Sequence, residues 1–391
     1  MARTTGCRGR VRDVTAPADR PAPAEPPVLT DGRVTLRALG EEHVAGCLEQ
    51  ALDPESIRWT TVPVPSGVDT ALEFCTEIAP RAWADGSQWI LAIECDEVPG
   101  RYCGNLALRP EGPGLAEIGY GAAPAARGLG IMEAGVRLAL EWGFEQQGLQ
   151  VVRWGALVGN WASRRLAWKV GFSYDGLQRG THVHRGELRD AWSGTLHRDE
   201  PRVPRHRWFV PPVLEDPVAG VRLRQPREAD LPRIVEACSD ERTSYWLGSM
   251  PVPYTETDAR AWLAGQDEGA ATGTKVPWVV ADAATDALLG AINLFDVSLD
   301  FAEVGYWAHP DARGRGMMTA ATRLATTYAF EEVGVRRVAL LAALENTASR
   351  HVAEACGFTL TGHERLGTTL RTGRADVALY DVLAEEWPSR V

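Results

Sequence analysis

Two sixteen-residue stretches constrain the fold of this chain more than anything else in it. Residues 117–132 read EIGYGAAPAARGLGIM and residues 303–318 read EVGYWAHPDARGRGMM, identical at ten positions without a gap. A second pair, NWASRRLAWKVGF at 160–172 and NTASRHVAEACGF at 346–358, agrees at seven of thirteen positions with the same separation of 186 residues. Shorter matches follow in the same order: VTLRAL from Val34 with VRLRQP from Val221, PVP from Pro63 and Pro251, QWILAI from Gln88 with PWVVAD from Pro277, RDAW from Arg189 with ADVA from Ala375. A repeat of this length is a duplicated domain, since solenoid repeats are far shorter. The chain length of 391 residues also exceeds what one ordinary core supports.

The segment 199–220, DEPRVPRHRWFVPPVLEDPVAG, is dense in proline and charge and marks the junction. The sequence therefore predicts a first domain at 28–198, a linker at 199–214 and a second domain at 215–391. Residues 1–27, rich in Arg, Pro and Ala, lack the apolar core of a secretory signal and read as a disordered tail. Each half shows a strand, helical stretches, two strands, the motif strand, a long helix, another strand, an Asn-led helix and closing strands. That order predicts an α/β (α+β) domain with a mixed, partly antiparallel sheet.

A net charge of −11 argues against a nucleic-acid partner. No apolar run approaches the ~20 residues of a membrane span. The seven cysteines are odd in number and form no C-x-x-C pair, so neither a zinc set nor a disulfide framework is expected. They read as small buried residues of a cytoplasmic protein, with no metal. Lysines number only two, Lys169 and Lys275.

The R-G-x-G turns, Arg127–Gly130 and Arg313–Gly316, sit between a strand and a helix. Glycines there let backbone N–H groups converge, and the helix N-terminus adds partial positive charge. Together they form a phosphate cradle, to which Arg127 and Arg313 add a charge-assisted contact. Neither the Lys-Ser/Thr of a P-loop nor a G-x-G-x-x-G follows.

The order E-[IV]-G-Y, P-x-A-R-G-x-G, then N-x-x-S with G-F closing the next helix, resembles the GNAT superfamily of acyl-CoA-dependent N-acetyltransferases. The likeness is to the branch that includes the ribosomal-protein-alanine acetyltransferases, and it spans nearly all of both halves. It implies two tandem domains, each a twisted sheet of six or seven strands with about four helices. It implies acetyl-CoA as co-substrate in a V-shaped opening between 117–122 and 151–158, and between 303–308 and 335–342. Gly121, Ala122, Trp307 and Ala308 would line the pantetheine arm. Arg127, Gly128, Leu129, Gly130, Arg313, Gly314, Arg315 and Gly316 would hold the pyrophosphate. Asn160 and Asn346 would bind pantetheine or its neighbouring loop, while the residues alone read equally as N-caps.

Many relatives carry a Tyr seven residues after this Asn; here Ala167 and Ala353 stand there. The resemblance points instead to Ser163 and Ser349 as acids for the leaving thiolate, against a plain role as first-turn hydroxyls. Glu117 and Glu303 open the splayed strand and are candidate bases or simple surface acids. Trp59, Trp83, Trp246 and Trp262 fall where the family shapes its acceptor site, or else pack the core. The expected acceptor is the primary amine of a small molecule (an antibiotic or biosynthetic intermediate) or a protein N-terminus. A non-catalytic acyl-CoA-binding scaffold, or one catalytic and one structural half, are the alternatives. The tandem is expected to work as a monomer with the halves in a pseudo-two-fold pair. Gly194, opposite Tyr380 in the repeat, is expected to loosen the last strand of the first half, which favours the second half for chemistry.

Overall fold

The computed structural model describes residues 25–388. The expected tail lies almost wholly outside the described residues. The chain divides into two compact units between Arg205 and His206.

In the first unit the strands are β1 (Leu29–Thr30), β2 (Val34–Arg37), β3 (Trp89–Cys95), β4 (Tyr102–Gly112), β5 (Leu115–Ala122), β6 (Val151–Leu157), β7 (Ser173–His184) and β8 (Glu187–His197). They form one mixed sheet in the order β1-β2-β3-β4-β5-β6-β8-β7. The second unit repeats this with β9 (Leu214–Asp216), β10 (Val221–Arg224), β11 (Val276–Asp282), β12 (Leu288–Phe295), β13 (Phe301–Ala308), β14 (Arg337–Ala343), β15 (Thr359–Leu370) and β16 (Gly373–Leu383). Its order is β9-β10-β11-β12-β13-β14-β16-β15. Eight strands stand where the resemblance implies six or seven, because the short segments ahead of Val34 and Val221 fold back antiparallel as β1 and β9.

Burial alternation explains the layers. Along β3, Trp89, Leu91, Ile93 and Cys95 join one apolar cluster, while Ile90 and Ala92 join another on the opposite face. Along β11, Val276, Trp278 and Val280 face one cluster and Val279 and Ala281 the other. A strand buried on both faces needs helices on both, and its side chains must alternate between them. The long helices Ile131–Glu145 and Met317–Tyr328 cover one face, and the early helices cover the other.

The proline-dense junction is anchored residue by residue to one unit or the other. The Arg202 carbonyl accepts from Arg137 at 2.7 Å, and its guanidinium lies 4.2 Å from the Phe144 ring centroid. Phe209 is buried in the second core, and the Trp278 indole N–H donates to Pro212 O at 2.9 Å.

Gly194 does not loosen β8. The strand pairs without a break with β6 through that position, and on its other side Gly194 pairs with Tyr174 beside a bulge in β7. A Cβ there would run into the Ser173 carbonyl and the Trp154 ring, so glycine permits a close backbone approach.

Candidate active site

In each unit two parallel strands start paired and then separate. β5 pairs with β6 only from Leu115 to Ile118, and β13 with β14 only from Phe301 to Glu303. Beyond those residues each strand keeps its antiparallel partner on one side and presents backbone N–H and C=O groups to an opening on the other. Such groups must find a partner, and an extended amide-bearing ligand supplies one. Gly121, Ala122, Trp307 and Ala308 lie on this unpaired edge.

The turns that follow have the conformation glycine is needed for. Gly128, Gly130, Gly314 and Gly316 adopt φ of 78°, 75°, 72° and 74°. No atom lies within 4 Å of where a Cβ would stand at any of them. The positions are therefore glycine for backbone conformation and open access, not for crowding. Gly130 and Gly316 lead directly into the long helices, whose first-turn N–H groups have no intrahelical acceptor. These two turns fit a pyrophosphate in both units. Leu129 is exposed, and its carbonyl accepts from Arg33 at 3.0 Å, which places a guanidinium, itself paired with Glu97 at 2.7 Å, beside the first cradle. In the second cradle Arg315 supplies that charge from the turn itself, with a bond to Asp311 O at 3.3 Å.

Arg127 and Arg313 are not free. Arg127 pairs with Asp53 and donates to Ser56 Oγ at 3.2 Å; Arg313 pairs with Asp240 and donates to Thr243 Oγ1 at 2.8 Å. The same two aspartates cap the helices Pro54–Trp59 and Glu241–Trp246 by accepting N–H bonds from Ser56 and Thr243. The arginine beside each holds its carboxyl below the usual range. Each arginine thus ties an early helix to the phosphate turn. The caps were legible as Asp just ahead of a helix; their pairing with an arginine more than seventy residues on was not.

Asn160 and Asn346 do act as N-caps, each accepting the N–H of Ser163 or Ser349 at 3.2 Å. They also stand on the cavity wall of their unit. The serines meet the tyrosines of the E-x-G-Y motif, to which the sequence pattern alone assigns no role. Ser163 Oγ donates to Tyr120 OH at 3.2 Å, and Tyr306 OH and Ser349 Oγ lie 3.1 Å apart. Burial pushes both phenols above their ordinary range.

The units differ here. In the first, the Trp154 indole N–H donates to Ser163 Oγ at 3.0 Å, and Tyr120 OH donates to the Ser163 carbonyl at 3.0 Å. Both hydroxyl protons are therefore committed. In the second, Leu340 replaces the tryptophan, the Tyr306 OH bond to the Ser349 carbonyl is a longer 3.4 Å, and either hydroxyl of the Tyr306–Ser349 pair can be the donor.

The two glutamates differ as well. Across the strands, Arg109 stands opposite Glu117 and Phe295 opposite Glu303. Arg109 donates to Glu117 at 3.2 Å. The Arg109 and Phe295 side chains both pass over the motif glycine: a Cβ on Gly119 or Gly305 would come within 2.7 Å or 2.8 Å of them. That is why E-x-G-Y carries glycine. Glu303 has a ring in place of the guanidinium, and burial, with Asp296 nearby, raises its pKa.

Each splay opens into a cavity. In the first unit it measures about 410 Å³ and includes Trp59, Glu117, Tyr120 and Ser163 in its wall. In the second it measures about 650 Å³, with Trp246, Tyr254, Trp262, Trp307, Tyr306 and Ser349 among its residues. Trp83 lies outside both; it is buried against Trp142 with its N–H on Ile90 O at 2.7 Å. His309, fully buried ahead of the second turn, accepts the Asp311 N–H at 3.2 Å. Among the described residues no cluster of three or more His, Cys, Asp or Glu could hold a metal ion, and no helix is long and apolar enough to cross a membrane.

The sequence model of the Acetyltransferase (GNAT) domain matches residues 33–173 and again 221–359. A Bacillus subtilis (strain 168) protein provisionally named ribosomal N-acetyltransferase YdaF is 32% identical over 180 residues, 43% of this chain and 92% of that one. The FsC-acetyl coenzyme A-N(2)-transacetylase of Aspergillus fumigatus is 26% identical over 206 residues, 47% of this chain and 84% of that one. The solved structure of Mycobacterium smegmatis RimJ in complex with CoA-disulfide is similar at 25% identity and a TM-score of 0.41, covering 44% of this chain and 86% of that one. With one domain match on each side of the junction, and a splayed strand pair and glycine turn in each unit, the chain belongs to the GNAT acetyltransferase family as a tandem of two such domains.

Proposed function

We propose that this chain transfers an acetyl group from acetyl-CoA to the primary amine of a small molecule, and that turnover belongs to the second unit. The observation that carries the assignment is the strand pair Phe295–Glu303, which leaves a half-buried carboxylate without the arginine that Glu117 has. Glu303, directly or through water, takes the proton of the incoming ammonium, and the freed amine attacks the thioester carbonyl. Tyr306 and Ser349 form the hydroxyl relay that returns a proton to the departing thiolate. The turn Arg313–Gly316 holds the pyrophosphate, Trp307 and Ala308 flank the pantetheine arm, and the first unit binds CoA through its own turn.

The wall of the second cavity favours an amphipathic amine. Trp246, Tyr254, Trp262 and Trp307 supply aromatic faces and Asp258 a carboxylate, while Glu303 stands one residue ahead of Val304, where the strand enters the wall. Its volume of about 650 Å³ is within the usual range for a small organic ligand. A protein N-terminus is the second reading, favoured by the name of the Bacillus subtilis relative. The test is release of free CoA thiol from acetyl-CoA against a panel of aromatic amines, polyamines, amino sugars and N-terminal peptides. Acceleration by small amines over peptides is expected. CoA binding in calorimetry with no amine-dependent release would instead mean a binding scaffold.

A further inference from the structure

The chain has two lysines, and they are placed very differently. Lys169 is on the surface, 43% exposed, paired with Glu133 at 3.0 Å. Lys275 is half-buried just ahead of β11 and lines the second cavity together with Tyr306, Trp307, Asn346 and Ser349. Its stem lies along the helix Glu256–Ala271 at Gly269. A Cβ on Gly269 would stand 2.8 Å from Lys275 Cβ and 3.4 Å from its Cε, so the glycine makes room for this path. The Nζ ends 5.0 Å from the centroid of the Phe295 ring, the same ring that faces Glu303 across the strands. An amine therefore sits in the wall of a cavity whose proposed chemistry is amine acetylation, and the reaction scheme above does not use it.

We propose that Lys275 is a self-acetylation site: in the absence of another acceptor, the second unit transfers the acetyl group to its own Lys275 Nζ. The inference rests on the reading of the second cavity as the turnover site. Burial lowers the pKa of Lys275, which enlarges the fraction of neutral, nucleophilic amine. The step balances without any co-reactant beyond acetyl-CoA. The Nζ lone pair forms the N–C bond to the thioester carbonyl carbon and the C–S bond breaks. Nζ loses one proton, the thiolate gains one, and the products are N-acetyl-lysine and free CoA. Acetylation removes the one lysine charge in the wall and adds a neutral amide there. The modified and unmodified cavities then differ in the amines they admit.

The experiment incubates the full chain with isotopically labelled acetyl-CoA, with no added amine, and follows intact mass and peptide maps. One acetyl group per chain is expected at Lys275, at least about 10-fold faster than at Lys169, because a nucleophile held in the cavity has a high effective concentration. Lys275→Arg should abolish that label and Lys169→Arg should not. An added amine that the enzyme acetylates should slow it. Equal labelling of both lysines, or the same rate at Lys275 in denatured chain, would mean chemical acetylation and overturn the proposal. Amine-dependent CoA release with no label at Lys275 would overturn it while leaving the second unit as the turnover site. Neither label nor amine-dependent release would overturn that site assignment first, and the self-acetylation with it.

Discussion

A carboxylate serves as a base only if nothing nearby has already neutralised it, and in this chain one cross-strand residue decides that. Glu117 and Glu303 occupy the same place in the repeat, at the mouth of the splay: Glu303 is the last paired residue of β13, and β5 pairs one residue beyond Glu117. Arg109 spends its charge on Glu117, whereas Phe295 offers Glu303 only a ring and a drier environment. A raised pKa means the folded protein disfavours the ionised form. At pH above both folded and unfolded values, Glu303 therefore subtracts from stability, and below both it does not. Glu303→Gln removes that penalty, so its Tm at neutral pH is expected to equal or exceed the parent's. Its kcat/KM should nonetheless fall about 10²-fold, the usual contribution of a positioned base. In the parent, the acid limb of kcat/KM should lie above the ordinary glutamate value of ~4.3, and it should vanish in the variant. Thermal melts and a pH–rate profile check the two halves of this expectation. An unchanged acid limb in Glu303→Gln would assign the base elsewhere.

At the scale of elements, the phosphate turn is a joint between three pieces: the splayed strand, the long helix and an early helix pinned by an aspartate–arginine pair. Gly316 stands at φ 74° with open space around its missing Cβ. Gly316→Ala therefore strains the backbone by about 1–2 kcal/mol without a clash. The expected result is CoA affinity in the second unit lowered about 10-fold or more, with the first site intact, read as two unequal sites by calorimetric titration. Asp240→Ala removes a helix cap, worth about 1 kcal/mol, and frees Arg313. Since Asp240's pKa is depressed in the fold, its share of stability is present at neutral pH and is lost only as pH falls through that lowered value. The glycines, the caps and the alternating strands were all legible in the sequence, because each is a local consequence of backbone geometry. The Asp53–Arg127 and Asp240–Arg313 pairs were not, since they join residues brought together only by the sheet. Nor was the role of Gly194, which read as a weak point and is a point of close strand contact. The tyrosines of E-x-G-Y were in plain view, yet their partnership with the serines depends on how the Asn-led helix docks against the splay.

Across the whole molecule, duplication has kept the binding geometry in both units and let the chemical groups diverge. Both retain the positive-φ turn, the splay and the Asn cap, so both are expected to bind CoA. Three substitutions then set them apart: Arg109 against Phe295, Trp154 against Leu340, and Gly121 against Trp307. The first neutralises the candidate base, the second commits the serine hydroxyl, and the third exchanges a tryptophan wall for Gln50, whose side chain lies 2.6 Å from where a Gly121 Cβ would be. The first two leave the first unit poorer in free acid–base groups and the third removes an aromatic wall, so turnover should follow the second. Ser349→Ala is expected to lower kcat of the whole chain about 10²-fold with little change in CoA affinity, and Ser163→Ala to leave kcat intact. A sharper test exchanges the cross-strand residue itself. Phe295→Arg gives Glu303 the partner that Glu117 already has, and should reduce kcat to a similar degree while the Tm holds. Arg109→Phe should leave the parent's turnover unchanged. In a Ser349→Ala background it also reports whether the freed Glu117 suffices, and the Trp154 bond to Ser163 predicts that it does not. Loss of activity in Ser163→Ala or Arg109→Phe, with Ser349→Ala and Phe295→Arg unaffected, would place the chemistry in the first unit instead.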